Sequence, residues 1–299
     1  MPEGLFLSAI ATVRIVLVSP AGPLNVGSVA RVMKNFGLSQ LVLVAPQCDP
    51  LGAEARQMAV HASDILEAAK QVETIPDALV GCESAIATTA RTRGFNAPLQ
   101  RPEIALSALV SGLPQAEAAL IFGPEDRGLS NQELTYAQSF LKIPTSDAYS
   151  ALNLAQAVSI CCYELFRASQ PVGKSVLSAD SPAAALHHSA LTPKQLPLQK
   201  PPSSAKQSES DSLNTDLSGE LSPASELSNR AKLNELEGYY QHLESLLLQV
   251  EYLYPHTAAS RMRKLRQLLH RASPTSNEVA LLRGILRQVE WALSDSNKG

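Results

Sequence analysis

The chain has 299 residues, 45% of them hydrophobic, and a formal net charge of −3. That is enough apolar material for a substantial core plus a smaller unit, and the slightly acidic balance excludes a generally basic nucleic-acid binder, leaving only local patches for contact with a polyanion. The four cysteines, Cys48, Cys82, Cys161 and Cys162, form no C-x-x-C pair, so they are expected to be reduced, mostly buried thiols of a cytosolic protein, with no metal site. No apolar stretch reaches the length of a membrane helix, and Met1 to Ala11 lacks the basic opening of an export signal, so a cytoplasmic location is expected.

In chain order, the apolar run from Val13 to Val18, broken by Arg14, predicts a strand. Val29, Val32, Met33 and Phe36 then recur at helical steps. Between them lies Pro23-Leu-Asn25-Val-Gly27-Ser28-Val-Ala-Arg31. Gly27 and Ser28 fit a helix entrance, whose unpaired N–H groups suit an anion such as phosphate. Asn25 and Arg31 are then expected to point into one crevice at the carboxyl end of the strand, where open α/β sheets bind ligands. An ordinary glycine-containing turn with a surface arginine would read the same way.

Further strands are predicted at 40–45, 84–88, 118–122 and 139–143, and helices at about 27–36, 54–69, 103–111, 131–137 and 152–168. This alternation points to an α/β domain, a mainly parallel sheet with helices on both faces. The strand Ala118–Phe122 runs into Gly123-Pro124-Glu125-Asp126-Arg127-Gly128-Leu129-Ser130. Leu141-Lys-Ile143-Pro144 runs into a polar loop and the helix start Ser150-Ala151-Leu152-Asn153. In both, a strand ends in a turn-rich loop that opens a helix.

A composition break follows Arg167. Residues 169–229 are rich in Ser and Pro and lack aromatic residues, so they are expected to be a disordered linker. A coil of about 60 residues spans roughly 40 Å, enough to carry a tail to a distant part of a large ligand. From 230 onward, Leu233, Leu236, Tyr240, Leu243 and Leu247, then Met262, Leu265, Leu268 and Leu269, then Leu281, Leu282, Ile285 and Val289 predict three helices punctuated by Pro255 and Pro274. The stretch Arg261, Arg263, Lys264, Arg266, Arg271 contains no acidic residue. It fits either a phosphate-binding face or a solvated amphipathic helix.

The pattern N-x-G-S-x-A-R at 25–31, F-G-x-E-x-x-G-L-S at 122–130, and a third strand with Ile143-Pro144 and Leu152-Asn153 resembles the three signature motifs of the SpoU/TrmH family, in order and separation. These are RNA ribose 2′-O-methyltransferases of the knotted SPOUT class. The resemblance covers roughly the first 165 residues. Arg261-Met-Arg-Lys-Leu-Arg266 and Leu282-Arg283-Gly284-Ile285-Leu286 resemble the C-terminal extension of the TrmJ subgroup, whose members methylate the ribose of residue 32 in the tRNA anticodon loop. The resemblance implies a trefoil-knotted sheet, S-adenosylmethionine as methyl donor, tRNA as partner and a homodimer. It divides the chain into a methyltransferase domain at 1–168, the linker at 169–229 and a helical tRNA-binding extension at 230–299.

Ribose methylation needs the 2′-hydroxyl positioned in line with the methyl group, a proton acceptor and stabilisation of the developing oxyanion. By the resemblance Arg31 is the central residue. An arginine is too basic to accept a proton readily, so binding the RNA phosphate and stabilising the alkoxide suits it, though direct base action stays open. Asn25, Glu125 and Asn153 match the polar motif positions, either in catalysis or as caps that hold the loops. Thr88, Thr89, Ala90, Gly123, Ile143, Ser150, Ala151 and Leu152 are expected to border S-adenosylmethionine. Arg93, Arg261, Arg263, Lys264 and Arg266 are expected to contact RNA. One departure is Ala151, where the family usually has Ser directly before Leu-Asn. The alternatives are a ribosomal RNA target or an RNA-binding protein without catalysis. No G-x-x-x-x-G-K-[ST] or G-x-G-x-x-G is present to support a nucleotide-binding fold of another kind.

Overall fold

The computed structural model describes residues 10–90, 98–112, 117–146, 148–170 and 230–296. Arg93 and the expected linker beyond Gln170 lie outside the described residues. Strand β1 is Arg14–Val18 and helix α1 is Pro23–Asn35. Pro23 sits at the first helical position, where its missing N–H costs nothing. Strand β2 is Gln40–Val44. The helix expected at 54–69 is two, α2 at Ala53–Ala59 and α3 at Ser63–Ala68, because Val60 turns the chain at a φ of 55°. Then come β3 (Lys70–Val72), α4 (Ile75–Ala78) and β4 (Ser84–Thr88). After them follow β5 (Leu99–Gln100), α5 (Pro102–Gly112) and β6 (Ala118–Phe122). A 3₁₀ turn at Glu133–Tyr136, β7 (Ser139–Leu141) and α6 (Leu154–Ser169) complete this part.

The seven strands form one sheet in the order β3-β2-β1-β6-β4-β7-β5, and each neighbouring pair is parallel. The order sets β4 between β6 and β7, so the last strands of the domain return around an earlier one. Alternation along β1 builds a core on each face. Ile15 and Leu17 join Val29, Met33, Leu106 and Val158 on one side. Val16 and Val18 join Leu79, Phe140, Leu236 and Tyr240 on the other. Arg14, which interrupts the apolar run, sits at the strand's start and donates to the carbonyls of Ala78 and Val80 and to Glu117. Cys82, Cys161 and Cys162 are buried and Cys48 is half-buried, all as free thiols.

The three C-terminal helices are α7 (Leu233–Gln249), α8 (Pro255–Ala272) and α9 (Ser276–Ser296). They do not hang from a tether. The Leu233 N–H donates to the Cys82 carbonyl at 2.8 Å, and the Gly81 N–H donates to Asn234 Oδ1 at 3.2 Å. Leu233, Leu236, Tyr239 and Tyr240 are buried in the same core as β4, β6 and β7. The helices therefore cover the second face of the sheet and belong to one unit with the strands of the first domain. Among the described residues no helix is long and apolar enough to cross a membrane, and no group of three or more His, Cys, Asp or Glu is placed to hold a metal ion.

Candidate active site

The helix entrance expected at Gly27 and Ser28 is not there, because α1 begins four residues earlier. Gly27 is buried, and a Cβ at this position would lie 2.2 Å from the Ala55 carbonyl oxygen. Its glycine serves close packing of α1 on α2. Ser28 donates to the Leu24 carbonyl within the helix. Neither is left to hold an anion.

Asn25, on the first turn of α1, is held from two sides. Its Nδ2 donates to Glu125 Oε1 at 2.7 Å, and its Oδ1 accepts from Asn153 Nδ2 at 2.9 Å. Glu125 also accepts from the N–H groups of Ala21 and Gly22, at 3.1 and 3.3 Å. Burial raises the Glu125 carboxyl, but these hydrogen bonds outweigh it and hold the group below the usual carboxylate range. Asn153 caps α6: its Oδ1 accepts from the N–H groups of Ala155 and Gln156, and Gln156 Oε1 accepts from the Asn153 N–H. One chain of hydrogen bonds thus ties all three motifs together.

Arg31 does not join that chain. Six residues of helix turn it about 120° away from Asn25, so the two do not share a crevice. Arg31 is exposed and is absent from the cavity wall.

The eight residues expected at the methyl donor line one cavity of about 270 Å³ at the carboxyl ends of β4, β6 and β7. Phe122, Leu129, Leu141 and Leu154 add apolar walls, and Glu125 and Asp126 set carboxylates beside it. Ala151 is on the wall with Ser150 next to it. The Thr88 hydroxyl donates to the Ile121 carbonyl and so braces β4 on β6. At Gly123 a Cβ would meet Gly128 and Leu129 backbone atoms at 2.3 Å, so glycine lets the following loop fold back over the strand. Small residues, exposed backbone groups, apolar walls and nearby negative charge fit S-adenosylmethionine: an adenosine carrying a cationic sulfur.

Arg127 and Glu133 were missed in the sequence. Their ion pair, at 2.7 and 3.0 Å, braces this loop. Ser130 and Glu133 cap the 3₁₀ turn reciprocally, the Ser130 N–H donating to Glu133 Oε2 and the Glu133 N–H to Ser130 Oγ. The S-x-x-E spacing was the available signal. Gly128 takes the left-handed φ of 63° that the tight turn requires.

In the tail, Arg266 is an internal residue and not the RNA contact its sequence position suggests. It pairs with Glu237 at 2.5 and 2.9 Å, and its guanidinium lies 4.3 Å from the Tyr240 ring centroid and 5.4 Å from that of Tyr136. Arg261 is exposed but donates to the Tyr252 carbonyl. Arg263 and Lys264 make no hydrogen bond or ion pair among the described residues and remain open to a ligand.

A parallel sheet whose strand ends carry this cavity, with three polar motifs tied beside it, is the arrangement of a SpoU methylase. The chain belongs to that family: the model described as the SpoU rRNA Methylase family matches residues 12–163. A second model, described as the tRNA methyltransferase TrmJ C-terminal domain, matches residues 234–298, which sets the chain among the TrmJ members. It is 36% identical over 279 residues to the tRNA (cytidine/uridine/adenosine-2′-O-)-methyltransferase TrmJ of Pseudomonas aeruginosa, covering 93% of each chain. It is 32% identical over 290 residues to the tRNA (cytidine/uridine-2′-O-)-methyltransferase TrmJ of Escherichia coli K12, covering 96% of this chain and 97% of that one. The crystal structure of TrmJ from Z. mobilis ZM4 superimposes with a TM-score of 0.69 at 28% identity, over 93% of this chain and 98% of that one.

Proposed function

We propose that the protein transfers a methyl group from S-adenosylmethionine to a ribose 2′-hydroxyl of tRNA, at residue 32 of the anticodon loop, on cytidine or uridine. The observation that carries this reading is the Asn153–Asn25–Glu125 chain closing directly beside the cavity that all eight expected donor-site residues line. The names of the TrmJ relatives support tRNA as acceptor.

S-adenosylmethionine supplies an electrophilic methyl group on a good leaving group. The residues of this chain supply the rest. Asn25 and Asn153 hold the first and third loops at a fixed separation, and Glu125 locks the second onto α1. Arg31, which does not line its own chain's cavity, takes an RNA phosphate at the partner's cavity in the homodimer inferred below and stabilises the alkoxide there as the hydroxyl loses its proton. Residues 1–168 carry this chemistry, 169–229 connect, and 230–299 grip the RNA through Arg263 and Lys264, with Arg93 as a further contact. We also infer a trefoil knot, a cytoplasmic location and a homodimer. For the dimer, Leu24 on α1 and Tyr163 on α6 expose 49% and 51% of their surface on helices beside the site.

The test is incubation with labelled S-adenosylmethionine and bulk tRNA or ribosomal RNA, followed by mapping of the methylated nucleotide. A 2′-O-methyl group at residue 32 of tRNA is expected. Label only in ribosomal RNA, or in neither RNA, would overturn the reading.

A further inference from the structure

A second cavity, of about 600 Å³, lies between α8 and the 3₁₀ turn with the β5–β7 edge. It is not part of the methyl-donor site. Phe140 lines it, whereas Leu141, the next residue of β7, lines the donor cavity, and successive strand residues point to opposite faces.

The lining has three chemical zones. Arg263, Lys264 and Arg271 form a cationic rim, and none of them makes a hydrogen bond or ion pair among the described residues. Arg263 and Lys264 are adjacent and Arg271 lies two turns further along α8, on the side that also carries Gln267 and Leu268. Leu134, Phe140 and Leu268 make an apolar floor, and Leu268 is 54% exposed at its mouth. Gln138 borders the cleft with its Oε1 fixed by the Ala85 N–H at 2.7 Å and its Nε2 buried without a partner among the described residues. No acidic residue is among the described residues that line it.

A purely electrostatic phosphate track needs no apolar floor, and a neutral lipid or hydrophobic peptide needs no cationic rim. A nucleotide uses both. Resting on the reading that tRNA is the substrate, we propose that this cleft holds one unpaired nucleotide of the RNA at a point away from the methylated ribose. Its base lies on Leu134, Phe140 and Leu268, and its flanking phosphates lie on Arg263, Lys264 and Arg271.

The experiment uses the full-length protein and two short single-stranded RNAs of equal length, one with its bases and one abasic, with binding read by fluorescence anisotropy. The variants are Lys264→Glu/Arg271→Glu and Leu268→Ser, all at exposed positions. The charge reversals are expected to weaken both RNAs by about tenfold or more and to flatten the salt dependence. Leu268→Ser is expected to weaken the base-bearing RNA by about fivefold and to leave the abasic one unchanged. Wild-type affinity in the charge-reversed protein would overturn the cleft as an RNA site. An equal response of both RNAs to Leu268→Ser would overturn the seat for a base, as would tighter binding of a polyglutamate peptide than of RNA. Methyl transfer to bulk tRNA by the wild type is measured alongside. If transfer occurs and the variants bind normally, only the cleft proposal fails. If no transfer occurs and the binding pattern holds, the acceptor assignment fails and the cleft stands.

Discussion

Asn25 is held by Glu125 on one side and Asn153 on the other, so its carboxamide has one orientation. Among the described residues Arg31 has no such partner, and an exposed guanidinium on a rigid helix suits transition-state charge. Arg31→Ala is therefore expected to retain the fold and donor binding and to lose about two to four orders of magnitude in single-turnover methylation. Glu125→Gln removes the charge that accepts from Asn25, Ala21 and Gly22. It is expected to cut turnover about tenfold or more while leaving the donor dissociation constant within a few-fold, as rapid-quench and equilibrium titrations would show. Asn25, Glu125 and Asn153 were legible because each stands in a short motif at a strand-to-helix turn. The inward turn of Arg266 was not: on a helix its charge looks the same as that of Lys264, and only the packing of Tyr240 and Glu237 against it separates them.

The long elements were legible because β1, β2, β4 and β6 are apolar runs and α1 and α6 keep a helical period. β3 and β5 have three and two residues, too few to show any period. The break between α2 and α3 rests on the left-handed Val60, a residue type that gives no warning of it. The start of α1 is not legible because Gly27 looks like a turn glycine, whereas its hydrogen is needed for contact with Ala55. Gly27→Ala is accordingly expected to destabilise the fold by about 1–3 kcal/mol, with α1 pushed from α2, and urea unfolding would measure it. An unchanged midpoint would mean that the two helices separate at no cost.

At the scale of the whole molecule, the tail is a layer of the fold as well as a carrier of cations. Its docking includes the Arg266–Glu237 pair, with side chains only 11% and 13% exposed, and the nearby His270. Burial first, then the charge of Arg266, hold the His270 imidazole down at about 4, against the weaker opposing pull of the Ala137 backbone and Glu237. The neutral ring is the folded form, so stability is complete above the ordinary value of 6.5. It is lost as pH falls from there towards about 4, by up to about 3 kcal/mol. Amide exchange in α7 and α8 is expected to speed up over that window, and His270→Asn to remove this part of the pH dependence. That docking was not legible, because an amphipathic helix period shows that a face is buried and not what buries it. The acceptor assignment is tested most directly with a tRNA carrying a single 2′-deoxyribose at anticodon-loop residue 32. Unmodified tRNA is expected to take one methyl group, and the deoxy form to bind as tightly and take none. Equal labelling of the two would contradict ribose methylation at that residue.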